Sequence, residues 1–254
     1  MAIDADVAAS ALATTWQHLF GAVPNGWVRR ESGVVAAVST VALAVLNGVW
    51  AEEVDPDDDI VAHLIDQVAS TGLPYCLQLR PGSGEALANL AARRGMVRAG
   101  EVPLMVLEDA GALAAVQEVD GLLVRQLSPE EARAHATVAA SGFEVPEEPF
   151  LQLMTPTVLR LQGVQCYIGE VDGQPVTTGL GVSLGPFVGV FNVATPPAHR
   201  GRGFGTAVTA RTVADGLAKG ALWSWLQSSS AGYGVYTRLG FRTVEQWDCW
   251  VSPA

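Results

Sequence analysis

The sequence predicts an α/β chain of the α+β type, made of two similar units in tandem. Three observations carry that reading. Segments of helical and of strand periodicity alternate along all 254 residues. The order strands, helix, strand, short helix, glycine with an apolar residue, and strand occurs before Asp109 and recurs after Leu122. A composition of 49% hydrophobic and 16% charged residues belongs to a chain that buries a core. The expected boundaries are 1–109 for the first unit, 110–120 for a linker and 121–254 for the second unit.

In the first unit, Val7 to Phe20 is alanine-rich with apolar residues near helical spacing, and Pro24-Asn25-Gly26 ends that helix. Trp27 to Gly33 reads as loop or strand, Val34 to Val38 and Val41 to Val45 as strands, and Asn47 to Trp50 as strand or loop. The uncharged stretch Gly33 to Ala51 is only marginally long enough for a membrane span and contains Ser39, Thr40 and Asn47. Two strands around a turn explain it better. The acidic run Glu52 to Asp59 leads into a helix from Ile60 to Ser70, whose N-terminus its carboxylates cap. A strand Tyr75 to Leu79, a turn at Pro81 to Gly84, a helix Glu85 to Arg94 and a strand from Gly95-Met96 toward Leu107 complete the unit.

The second unit begins with a strand at Leu122 to Leu127. Ser128-Pro129-Glu130-Glu131 opens a helix, with Ser128 as cap, Pro129 at the first helical position and Glu131 closing a capping box. Ser141 to Pro146 interrupts, a helix follows from about Pro149 to Leu161, and Asp172-Gly173 joins the strands Val164 to Val171 and Val176 to Leu184 as a hairpin. Next comes a buried strand, Phe187 to Thr195, and a helix from Thr206 to Lys219, with Arg200-Gly201-Arg202-Gly203-Phe204-Gly205 between them. A glycine-rich turn at a helix N-terminus suits an anion. The first helical amides lack internal partners, the dipole is positive there, Gly203 and Gly205 admit a phosphate closely, and Arg200 and Arg202 add charge.

Some 30 residues on, Ser228 to Phe241 reads as a strand end, a short helix and the start of a last strand. The two motifs together resemble the GNAT (GCN5-related N-acetyltransferase) superfamily, whose pyrophosphate loop is [Q/R]-x-x-G-x-[G/A] and whose later motif ends in Y-x-x-x-G-F. Arg200, Gly203 and Gly205 fill the first, and Tyr236, Gly240 and Phe241 the second. The resemblance covers about Leu122 to Val251, with Ser229 where the family often has asparagine.

It implies that each unit is a mixed, mostly antiparallel sheet flanked by helices. It also implies transfer of an acyl group, most simply acetyl from acetyl-CoA, to a primary amine by direct attack. Main-chain groups of Val193 and Thr195 would contact the pantetheine arm where two strands splay, with Ser229 near it. The amides of Gly201, Arg202, Gly203, Phe204, Gly205 and Thr206 would hold the pyrophosphate. Tyr236 would be the general acid, and Glu144, after the first helix of the second unit, is the candidate base.

Laying Gly95-Met96 on Gly240-Phe241 puts Ala91 where Tyr236 stands and the acidic run Glu52 to Asp59 where the phosphate turn stands, so the first unit reads as a related fold without a cofactor site. An unrelated α+β domain is the alternative for 1–109. A net charge of −11 argues against nucleic acid as a standing partner. Cys76, Cys166 and Cys249 form no paired pattern for a disulfide framework or metal site. Asp4 and Asp6 stand where an export signal would be basic, which fits a cytoplasmic protein with no membrane partner. A homodimer is left open. The competing functional readings are a non-catalytic acyl-CoA-binding or regulatory module and an interaction scaffold.

Overall fold

The computed structural model describes residues 2–253 apart from Ala110, Ala112, Ala114 and Ala115. The linker expected at 110–120 therefore lies partly outside the described residues. The chain divides into two compact units, Ile3–Leu104 with the chain from Thr243 onward, and Met105–Arg242.

In the first unit, α1 (Ala5–Phe20) is capped by Asp4, whose side chain accepts from Val7 N at 2.9 Å. Strands β1 (Trp27–Glu31), β2 (Val34–Val38) and β3 (Asn47–Ala51) form an antiparallel meander. Helix α2 (Asp58–Ala69) then crosses to β4 (Cys76–Leu79), which lies parallel to β3. Asp57 caps α2, accepting from Asp59 N at 2.9 Å and Ile60 N at 3.2 Å, so one acidic residue of the run does bind a helix start. Helix α3 (Gly84–Arg93) and β5 (Val97–Leu107) follow. Val34, Val49, Leu64, Ile65, Leu77 and Leu87 are wholly buried at the centre of this unit's core.

Val41 to Val45 is not a strand. Buried Asn47 organises it as a turn: its Nδ2 donates to Val41 O (2.7 Å), Leu43 O (3.1 Å) and Pro74 O (3.1 Å), and its Oδ1 accepts from Ser39 N (2.9 Å). The strand pairing starts at Asn47 instead. Among the described residues no helix is long and apolar enough to cross a membrane.

The second unit holds β6 (Leu122–Gln126), α4 (Ala132–Phe143), α5 (Glu148–Leu153), α6 (Pro156–Leu159), β7 (Val164–Val171), β8 (Gln174–Leu184), β9 (Phe187–Ala194), α7 (Phe204–Ala218), β10 (Trp223–Gln227) and α8 (Ser230–Arg238). Strands β6 to β9 are antiparallel neighbours, and β10 joins β9 in parallel. The expected capping box at Ser128 and Glu131 is present. The single helix expected over 149–161 is instead α5 and α6, because the residue before Pro156 is held extended: Thr155 has ψ 159° and caps α6.

The last strand departs from the sequence boundaries. Strand β11 (Arg242–Val251) pairs antiparallel with β4, from Asp248↔Leu79 to Val251↔Cys76, so the end of the chain completes the first unit. The two helix ends laid on each other in the sequence share a turn. Met96 N donates to Ala91 O at 3.1 Å after a glycine at φ 72°, and Phe241 N donates to Tyr236 O at 3.0 Å after a glycine at φ 91°.

Two irregularities on β9 shape the second unit. Thr178 pairs with Ala194 but Leu180 with Phe191, so β9 carries an extra residue there, and Asn192 takes a left-handed φ of 50°. The ladder between β9 and β10 runs from Trp223↔Phe187 to Trp225↔Gly189, while β9 continues to Ala194. Its C-terminal end is thus released from β10.

Candidate active site

A cavity of about 560 Å³ opens at that released end, entirely within the second unit. Its walls are the last turn of α4, the end of β9, the turn leading into α7, and α8.

The turn into α7 is shaped by glycine. Gly201 (φ 77°) and Gly203 (φ 83°) adopt the left-handed conformation that glycine tolerates best, and Gly203 is the N-cap. The helical ladder begins only with Ala207 N donating to Gly203 O at 3.0 Å, which aims the preceding amides outward. Gly205 has no such backbone need. A Cβ there would lie 3.6 Å from Thr195 Oγ1 and 3.9 Å from Val193 Cγ1, in ordinary contact, filling the cradle between the turn and β9. The fold alone tolerates a side chain at 205, and a group that comes close to the amides does not. Outward amides, a positive helix end and an open cradle fit a pyrophosphate.

Val193, Thr195, Arg200, Gly201, Gly203, Phe204, Gly205, Thr206 and Ser229 all line the cavity, as do Tyr236 and Glu144. Arg202 does not. Its guanidinium rests 4.6 Å over the Phe204 ring and lines a neighbouring groove of about 520 Å³, bordered by residues 116–120. Arg200 is occupied as well. Its guanidinium donates to Thr195 O (3.1 Å), Gly142 O (2.7 Å) and Glu144 Oε1 (2.9 Å), tying the end of α4 to the end of β9. Two free positive charges on the turn were expected from sequence; one is ion-paired and the other faces the adjoining groove.

Tyr236 sits on α8, whose first turn is capped by the Ser229 hydroxyl accepting from Gly232 N at 3.2 Å. Its ring packs edge-on against Phe241 at 6.0 Å. A Cβ on Gly232 would come within 2.9 Å of its Cε2, so that glycine makes room for the ring. Burial pushes the Tyr236 phenol up to about 12, so it is protonated at neutral pH, as an unshifted phenol also is. Glu144 ends α4 in a left-handed conformation (φ 59°) and is the only carboxylate among the described residues lining the cavity.

Gly142, Phe143 and Arg238 are among the lining residues not named as site residues from sequence. Gly142 lets α4 touch β9, since a Cβ would meet Ala194 Cβ at 2.8 Å and Thr195 N at 2.9 Å. Phe143 stacks on Phe150 at 5.8 Å, and Arg238 lines both the cavity and the adjoining groove. Apart from Glu144, the segment Ser141 to Pro146 carried only a helix-break signal, and Arg238 none beyond its charge.

His135 lies behind this wall, buried on α4. Thr178 Oγ1 donates to Tyr167 O at 2.7 Å, so His135 Nδ1, 2.6 Å from the same oxygen, is the donor to it. Burial lowers its pKa to about 4. Cys76, Cys166 and Cys249 are buried thiols, and among the described residues no three His, Cys, Asp or Glu are grouped as metal ligands.

Residues 131–241 match the acetyltransferase (GNAT) family. No curated protein matches the sequence. Among solved structures, a GCN5-related N-acetyltransferase from Kribbella flavida is similar over 100% of this chain and 97% of its own, at 22% identity and a TM-score of 0.72. One from Sphaerobacter thermophilus covers 97% and 92% at 15% identity and 0.61. A tandem GNAT protein from the clavulanic acid biosynthesis pathway covers 99% and 98% at 14% identity and 0.57. The likeness to these structures is one of fold, and the match over 131–241 adds the family: the second unit is a domain of the GNAT acetyltransferase family.

Proposed function

We propose that the second unit transfers an acetyl group from acetyl-CoA to a primary amine by direct attack. The observation that carries this reading is a tyrosine, Tyr236, lining the same cavity as an open, glycine-lined helix N-terminus. Acetyl-CoA, when bound, supplies an activated thioester whose thiolate leaves. The amides of Gly201 and of Gly203 to Thr206 would hold its pyrophosphate, and main-chain groups of Val193 and Thr195, beyond the β9–β10 ladder, would hold the pantetheine arm beside Ser229. Tyr236 donates its phenolic proton to the departing sulfur. Glu144 receives the positive charge or proton of the amine. In this reading the acceptor is cationic, and the protein works in the cytoplasm.

The first unit keeps the fold and lacks the site. Ala91 replaces the phenol. From the end of β4, Arg80 donates to Glu52 O at 2.8 Å, just past the end of β3, bridging the place where the second unit leaves its strands apart.

Calorimetric titration with acetyl-CoA tests the reading, using the wild type and Gly205→Glu. The structure favours this position over Gly203, where the left-handed backbone would itself penalise a side chain. Micromolar binding by the wild type, lost in a variant with unchanged melting temperature, supports the cofactor site. Thiol release is then followed across a panel of primary amines. Absence of wild-type binding returns the protein to the scaffold reading, and binding without release with any amine favours the binding module.

A further inference from the structure

Arg200 and Glu144 face each other across the cavity mouth, one from the phosphate turn and one from the end of α4. Their contact is 2.9 Å, yet the side chains are 50% and 62% exposed, so the pair is held in water and is weak. The guanidinium has two further anchors, the carbonyls of Thr195 and Gly142. Arg200 can therefore lose Glu144 and stay in place. Among the described residues Glu144 has no second ion-pair partner, and it ends its helix in a left-handed backbone at the cavity wall.

Resting on the acetyl-CoA reading above, we propose that Arg200 and Glu144 form an exchange pair that couples the two substrates. With the cavity free, Arg200 neutralises Glu144. On cofactor binding, Arg200 turns to the pyrophosphate the Nη2 N–H that Glu144 holds, together with its uncommitted Nη1 group, because a doubly charged anion outcompetes one exposed carboxylate. Glu144 is left with an unpaired negative charge at the cavity mouth. That charge takes the ammonium of the acceptor, so a cationic amine binds better once the cofactor is in place. By reciprocity, Glu144 opposes cofactor binding while the acceptor is absent.

Reciprocity makes the test independent of knowing the amine. Coenzyme A is titrated into the wild type, Glu144→Gln, Arg200→Gln and the double variant, with affinity as the readout. Glu144→Gln is expected to bind coenzyme A about two- to five-fold more tightly, the range an exposed ion pair supplies. Arg200→Gln should bind more weakly, and adding Glu144→Gln to it should bring no gain, because the gain runs through the guanidinium.

An equal or weaker affinity in Glu144→Gln overturns the exchange. A gain that persists undiminished without Arg200 also overturns it, since plain repulsion between Glu144 and phosphate would then account for the effect. Should Arg200→Gln not fold, the Arg200 Nε–H resonance, identified by its loss in Arg200→Lys, carries the comparison. It should shift on adding coenzyme A to the wild type, and an unmoved signal overturns the proposal. Failure of the wild type and all variants to bind coenzyme A would instead remove the acetyltransferase reading, and this proposal with it.

Discussion

Burial shifts two titratable groups of the second unit toward their neutral forms, with different consequences. For Tyr236 the neutral form is the useful one. Tyr236→Phe keeps the ring on Phe241 and removes only the proton, so turnover should fall about 100-fold while the dissociation constant for acetyl-CoA stays within about two-fold. Equal turnover would deprive the phenol of its role. For His135 neutrality affects stability. The unfolded chain takes up a proton below the ordinary value of 6.5 and the folded chain only near 4, so stability is complete above 6.5 and is lost as pH falls toward 4. The loss attributable to this group is on the order of 3 kcal/mol. In His135→Leu, urea midpoints measured across that window should flatten accordingly. Tyr236 was legible because its motif is local, six residues ending in Gly240-Phe241. Gly142 was not, because its need is set by Ala194 and Thr195, fifty residues away in sequence and visible only once α4 meets β9.

At the scale of elements, the first turn of α7 separates folding from binding. Gly203 holds a left-handed backbone, so Gly203→Ala should cost about 1–2 kcal/mol of stability. Gly205 is helical with room for a methyl, so Gly205→Ala should raise stability by up to about 1 kcal/mol while weakening acetyl-CoA binding, because the methyl stands in the cradle. Denaturant midpoints and calorimetric affinities of the two variants should move in these opposed directions. Stability rising with affinity intact would mean that the phosphate lies elsewhere. The sequence placed this strand, turn and helix within two residues, because glycine spacing and apolar periodicity are local. Val41 to Val45 misled for the converse reason. Its apolar run suits a strand, but the side chain of Asn47 satisfies the carbonyls of Val41 and Leu43 and turns the backbone instead.

Over the whole molecule, the tandem repeat was legible in the order of elements, whereas the destination of the last strand was not. Nothing local in Arg242 to Val251 says that it will pair with β4, some 170 residues earlier. A buried charge marks the junction. Arg80, 3% exposed, pairs at 2.7 Å with Glu245 of β11, 11% exposed, while the Trp247 indole donates to the same carboxylate at 2.9 Å. Asp6 of α1 also reaches Arg80 at 2.7 Å but is 80% exposed, so Asp6→Asn should cost under about 1 kcal/mol. Arg80→Met is different, because it leaves the Glu245 carboxylate buried without its counter-ion, a loss of about 3–5 kcal/mol. Replacing both, as Arg80→Met with Glu245→Met, removes that stranded charge and should restore most of the stability by urea denaturation. A double variant as unstable as Arg80→Met would shift the weight from charge to the bond between Arg80 and Glu52 O. The first unit would then be held closed by a guanidinium bound to backbone, at the place where the second unit keeps its strands apart.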